Sequence, residues 1–221
     1  MKSSKECALS FNPTSLKVRF NGDNNIDNTY YSQAMQDLFV LGCLNGKKEG
    51  TYLELGCDEP FNINNTWLLE DKFNWKGISV DINPQSKQLF DSSGRTSTVL
   101  IQDATTLNFN NITNLLSTTH IDYLSLDLEP ASITLKCLES IPFDEVSFSV
   151  ITFEHDAYRF GDQARTPSRE ILENRGYVRL VDNVDSFEDW YINTAHVDMD
   201  LVSAYRHNNI GYVSASTVLL H

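Results

Sequence analysis

The sequence predicts an α/β fold: a Rossmann-like sandwich with a mostly parallel sheet, an antiparallel edge and helices on both faces. Three observations carry this. Short runs rich in Val, Ile, Leu and Tyr alternate with stretches of helical periodicity. Successive apolar runs close on a glycine or a carboxylate, as strands of a buried parallel sheet do at their carboxyl ends. The chain of 221 residues, 41% hydrophobic, is long enough for one well-buried domain and short for two.

Residues 1–28 are polar and Asn-rich, which predicts a loose arm with one edge strand at Leu16–Phe20, ahead of a single domain over 29–221. Gln36–Leu44 has apolar residues at helical spacing and stops at Asn45-Gly46. Thr51–Gly56 reads as the first strand, and 65–72 as a helix. Gly77–Ile82 is the second strand, with Pro84 placed to open a helix. Thr98–Ile101 and Ile121–Asp127 are the third and fourth, the latter followed by a helix over Ser132–Ser140. Ser147–Glu154 is the fifth. Thr166-Pro167 opens a helix that Arg175-Gly176 ends. Tyr177–Val181 and Trp190–Asn193 then suggest an antiparallel pair, joined by a solvated acidic turn at Asp182–Asp189. Tyr212–Leu219 is either one more strand or a C-terminal extension.

Seventeen Lys and Arg against thirty Asp and Glu give a net charge of −13. Such a surface repels a phosphate backbone, so no nucleic-acid partner is expected. No apolar run approaches the roughly 18 residues of a membrane span, so no membrane partner is expected either. Met1–Glu6 has no apolar core behind it, unlike a secretory leader. Cys7, Cys43, Cys57 and Cys137 are scattered, without a CxxC, which predicts a reducing, cytoplasmic setting.

Ligands of open parallel sheets bind beyond the carboxyl ends of the strands. There the sequence sets Glu54, Asp81, Asp103, Asp127 with Glu129, and Glu154 with Asp156: five successive strand ends, each with a carboxylate. An acid ending the second strand suits a ribose diol. The first turn, Gly56-Cys57-Asp58-Glu59-Pro60, has one glycine and two acids where a pyrophosphate would need a glycine-rich cradle. A nucleoside with a positive centre and no phosphate fits better, and S-adenosylmethionine is the common one.

Several runs resemble the FkbM-type methyltransferases. They are Gly50–Gly56 through Asn65–Glu70, Asn74–Asp81, Ile121–Glu129, Glu154-His155, Arg169 ahead of Gly176-Tyr177, and Asp189–Tyr191, with Ser32-Gln33 and Gln36-Asp37 upstream. The resemblance spans about Ser32 to Tyr191. Cys57-Asp58-Glu59 and Pro130 depart from its pattern. It implies a class I methyltransferase sandwich using S-adenosylmethionine. Glu54 and Gly56 would line the methionine part, Asp81 the ribose, and Asp103 with Ala104 would bracket the adenine. Gln33 and Gln36 either close over the cofactor or lie on the surface of a helix start.

Methyl transfer to a hydroxyl needs a proton acceptor within reach. The candidates are Asp127, Glu154 and His155, of which His155 titrates nearest neutrality. A divalent metal on Asp127, Glu129, Glu154, His155 and Asp156 would serve instead, although no spacing requires one and none is predicted. The expected activity is therefore an O-methyltransferase for a small polar metabolite or sugar. The alternatives are a nicotinamide-dependent oxidoreductase and a non-catalytic nucleoside-binding module.

Overall fold

The computed structural model describes all residues except 18–19, 21–27 and 209–210. Among the described residues, seven strands form the main sheet: β1 (Thr51–Leu55), β2 (Lys76–Asp81), β3 (Thr98–Ile101), β4 (His120–Leu126), β5 (Ser147–Glu154), β6 (Val178–Val184) and β7 (Glu188–Ile192). Their order is β3-β2-β1-β4-β5-β7-β6. The first five run parallel, and β7 pairs antiparallel with both β5 and β6. Strands are added outward from β1 first on one side and then on the other, so a crevice opens at the carboxyl ends of β1 and β4.

Helices α1 (Gln36–Cys43) and α2 (Trp67–Phe73) contribute to one apolar layer, with Leu38, Phe39, Leu68 and Leu69 packed against Tyr52, Tyr123, Val150 and Trp190 of the sheet. Phe39 stacks on Trp190 with ring centroids 4.3 Å apart. On the other face Leu53, Leu55, Leu124 and Ile151 meet side chains of α4 (Phe109–Leu116), α5 (Ala131–Ser140) and α6 (Asp162–Asn174). Strands buried on both sides read as continuous apolar runs, which is why their positions are visible in the sequence. Helix α3 (Pro84–Asp91) begins where Pro84 predicts, with the Asn83 side chain accepting from Gln85 N–H.

Four sequence expectations are corrected. The described residues of 1–28 are packed, not loose: Ser4–Cys7 forms a helical turn, Leu9–Ser10 pairs with Thr29–Tyr30, and Phe11, Leu16 and Phe20 are buried. Residues 18–19 of the strand expected at Leu16–Phe20 lie outside the described residues; Leu16 itself makes an isolated bridge to Leu220. Helix α6 starts at Asp162 and carries Pro167 inside it, so the proline stands within the helix and does not open it. Asp182–Asp189 is no solvated turn. It forms the facing ends of β6 and β7, with Asp182, Asn183, Glu188 and Asp189 all buried. The C-terminal segment is settled as a helix at Ala215–Leu219 behind a Val213 bridge to Val184. All four cysteines are free and buried, and among the described residues no helix is long and apolar enough to cross a membrane.

Candidate functional site

The strand registers align the site. One residue beyond the paired Val80, Leu55, Leu126 and Phe153 come Asp81, Gly56, Asp127 and Glu154, and Glu154 pairs directly with Glu188 of β7. Side chains alternate across a strand, so these five positions form one row on the face that carries α1. The row holds four carboxyl groups with a glycine gap between the first and second. Gly56 has φ +91°, and a Cβ there would stand 2.8 Å from the Asp127 carbonyl carbon and nearer still to its oxygen. Only glycine lets β1 end so close to β4.

A cavity of about 450 Å³ opens over this gap, lined by Gln33, Glu54, Gly56, Asp58, Asn65, Asp81, Ile82 and Asp127 among others. The Asp81 carboxylate is oriented by two main-chain donors: Asp58 N–H gives to one oxygen at 2.9 Å and Asn83 N–H to the other at 2.8 Å. Each oxygen keeps acceptor capacity toward the cavity. Burial and the neighbouring Asp81, Glu59 and Asp127 charges push the Asp58 carboxyl up. Such a loop disfavours any added phosphate.

Glu54 sits one row lower than the strand tip and is buried. It accepts from Thr66 Oγ1 at 3.1 Å and Ser79 Oγ at 2.9 Å, and burial raises its pKa while Arg95 draws it down. Arg95, which no sequence motif includes, holds the loop above it. Its fully buried guanidinium donates to Glu70, Tyr52, Thr66, Asn64 and the Pro60 carbonyl at 2.8–3.0 Å. It lies in a polar stretch of Ser and Thr with no apolar period, so no sequence signal marks it. Asn64 Oδ1 accepts from the N–H groups of Thr66 and Trp67 in a turn just ahead of α2, which starts at Trp67 and not at 65.

Asp127 and Glu154 are hydrogen-bonded neighbours. Burial, the hydrogen bond to Asp127 and that residue's charge push the Glu154 carboxyl up to about 11. Glu188, beside it, is raised well above the usual range by burial and accepts from Trp190 Nε1 at 2.6 Å. Glu154 therefore carries a proton at neutral pH and offers it to Asp127.

His155 is not in the cavity, which corrects the expectation that it serves as base. Its side chain is fully buried; Nδ1 accepts from Ala157 N–H at 3.1 Å, and Nε2 faces Asp189 at 3.5 Å. Both nitrogens are directed into the protein. Asp189 is also clamped by Arg169 at 2.6 and 2.9 Å and by Asn183 N–H at 2.8 Å. Burial opposes its ionisation, yet His155 and Arg169 hold its carboxyl well below the usual range. His155, Arg169 and Asp189 thus tie β5, α6 and β7 together behind the carboxyl row.

Of the remaining expected residues, Gln33 lines the cavity, while Gln36 is buried beneath it, accepting from Ala34 N–H and bonded to Glu188. Asp103 and Ala104 stand outside the lining: Asp103 is exposed and caps the turn it begins, accepting from Thr105 N–H and Oγ1. Glu129 is at the rim, 3.2 Å from Arg159. Among the described residues no three His, Cys, Asp or Glu side chains are gathered to hold a metal ion. A second cavity, of about 530 Å³, opens at the opposite, amino edge around Lys47, His120, Asp122 and His196, and contains none of the row.

No protein-family model matches the sequence, and no curated protein matches it. Solved structures do. A putative rRNA methylase from Clostridium thermocellum is similar with a TM-score of 0.51 at 13% identity, over 73% of this chain and 94% of that one. Precorrin-6y C5,15-methyltransferase from Geobacter metallireducens GS-15 gives 0.48 at 11% identity over 79% and 94%. A SAM dependent methyltransferase from Aquifex aeolicus gives 0.43 at 18% over 70% and 87%. At such identities the likeness concerns architecture: this chain has the Rossmann-like fold of the class I methyltransferases.

Proposed function

We propose that the protein is an S-adenosylmethionine-dependent methyltransferase acting on a hydroxyl of a small polar metabolite or sugar. The observation that carries the reading is the row Asp81, Gly56, Asp127, Glu154 at the crevice of a methyltransferase-type sheet. The sequence resemblance to FkbM-type enzymes supports it independently. The residues fit the cofactor: a gap only glycine can leave, a diol acceptor in Asp81, exposed Ile82 beside it for a flat base, and carboxylates for positive charge. The acids of the Asp58–Glu59 loop and the net charge of −13 weigh against a pyrophosphate cofactor and against a nucleic-acid acceptor.

When bound, S-adenosylmethionine supplies an electrophilic methyl group on a sulfonium. Asp81 would hold the ribose hydroxyls, since its two main-chain donors leave acceptor capacity on each oxygen. Asp127, beside Glu154 at the cavity, would take the proton that the acceptor hydroxyl loses as its oxygen takes the methyl from sulfur, which would leave as a neutral thioether. Glu154, already protonated, steadies the Asp127 carboxylate by hydrogen bonding. His155 and Arg169 fix Asp189 and so the strand that carries Glu188.

Thermal unfolding with S-adenosylmethionine, S-adenosylhomocysteine and NAD tests this. A ligand at about 100 times its Kd adds roughly 2.7 kcal/mol, a rise of about 5–11 °C at this chain length. A rise with the first two alone, lost in Asp81→Asn, is expected. No rise with either overturns the proposal.

A further inference from the structure

An open sheet has two edges, and an edge with unpaired N–H and C=O groups is a template for a further strand. At one edge β6 is covered by the C-terminal segment, through bridges from Val181 to His207 and from Val184 to Val213. There Asp182 N–H donates to the His207 carbonyl at 2.8 Å, and Asp185 N–H to the Val213 carbonyl at 2.9 Å. At the other edge, among the described residues, β3 has β2 as its one strand partner. No residue of β3 is fully buried, whereas β1 and β4 bury all but their first residue.

The register shows which main-chain groups are left over. Asp81 pairs with Ile101, and Gln102 N–H donates to the Asp81 carbonyl at 2.9 Å. Main-chain groups alternate in direction along a strand, so Thr98, Leu100 and Gln102 turn theirs toward β2. Val99 and Ile101 turn theirs outward. The devices that usually blunt such an edge are missing, since Thr98–Ile101 has no charge, no proline and an unbroken register with β2. Beside it opens a groove of about 330 Å³, lined by Leu100, Gln102, Leu107, Ile112 and Leu115 among others, with Leu115 55% exposed.

Charge decides what can lie there. From Thr96 to Thr119 the chain carries one charged residue, Asp103, although 21% of the whole sequence is charged. Two copies of a chain of net charge −13 repel one another over most of their surface, and least where charge is missing. An antiparallel pair of identical strands also satisfies a two-fold axis by itself. We propose that β3 pairs antiparallel with β3 of a second copy of this chain, joining two seven-stranded sheets into one. The two-fold axis passes between the two Leu100 residues. Val99 then faces the partner's Ile101, and Ile101 the partner's Val99, each pair exchanging two N–H···O=C bonds. Leu100 faces the partner's Leu100 as a non-hydrogen-bonded pair, in which side chains approach most closely, beside the groove that Leu100 lines.

Sedimentation of the full chain tests this. The wild type should sediment at twice its 25.1 kDa, and Leu100→Lys, which sets like charges opposite each other, at 25.1 kDa. Cross-linking tests the register. Leu100→Cys treated with oxidised glutathione should give a disulfide-linked dimer, because residues directly opposite lie within the roughly 4.4–6.8 Å Cα separation of a disulfide. Val99→Cys, whose counterpart on the partner lies two residues along the strand, should not. The four native cysteines are buried and do not compete. A wild type that sediments as a monomer overturns the proposal, as does a dimer that persists in Leu100→Lys. Equal cross-linking of the two cysteine variants, or none in Leu100→Cys, overturns it as well. Should Leu100→Lys fail to fold, the wild-type mass and the two cysteine variants decide.

Discussion

Replacing Gly56 by alanine should unfold the crevice from its centre. Two terms add. The residue sits at φ +91°, where a Cβ costs about 1–2 kcal/mol. The new methyl would also stand 2.8 Å from the Asp127 carbonyl carbon, and that neighbour is main chain, without a rotamer to escape into. For ordinary van der Waals contact, the ends of β1 and β4 must part by something on the order of 1 Å. That movement breaks the bond from Asp127 N–H to the Leu55 carbonyl, now 3.0 Å, and strains the bond from Gly56 N–H to the Val80 carbonyl, now 2.9 Å. At about 1 kcal/mol for each bond, the total loss is about 3–4 kcal/mol. The midpoint of thermal unfolding should then fall by roughly 6–16 °C, and the variant should no longer gain stability from S-adenosylhomocysteine. Gly94→Ala is the control: it has a similar φ of +84° with nothing within 4 Å of the added methyl, so only the backbone term applies. An equal fall in both variants, or retained ligand stabilisation in Gly56→Ala, would refute the argument that the close approach of β1 and β4 makes the site.

Two further predictions concern buried charge. Glu154 is raised to about 11 in the folded chain against about 4.3 unfolded, so the native state holds a proton that the unfolded chain releases. The stability this contributes is complete below the unfolded pKa and is lost as pH rises, by up to about 1.4 kcal/mol per pH unit. Glu154→Gln should therefore gain on the wild type as denaturation is followed from pH 6 to 9; a constant difference would contradict the shared proton. Arg95→Met should cost about 3–5 kcal/mol in chemical denaturation, because Glu70 and Glu54 lose their buried counter-charge. Arg95→Lys should not restore it, since a single ammonium cannot reach the five acceptors that the planar fork serves.

Layer architecture and the line of strand-end acids follow from the amino-acid order. Thr98–Ile101 and Ser147–Glu154 lie where their runs of apolar and β-branched residues place them; in the latter, Phe148–Phe153 is buried throughout, as in a strand covered on both faces. Asp81, Gly56 and Asp127 are legible as a rim for the related reason that a polar group ending an apolar run must have a use. Which of those acids meet is settled only in the folded chain. Strand register sets Asp127 against Glu154 and Glu188, and Asp103 is separated from the cavity because its carboxylate is taken up by a turn. The acidic segment at Asp182–Asp189 reads as solvated because its partners are distant in sequence: Arg169 from α6 pairs with Asp189, and His155 just beyond β5 faces it, only once the sheet has formed. The same holds for Arg95. A buried polar side chain is placed by partners that come from other strands and loops, and no local pattern in the sequence records them.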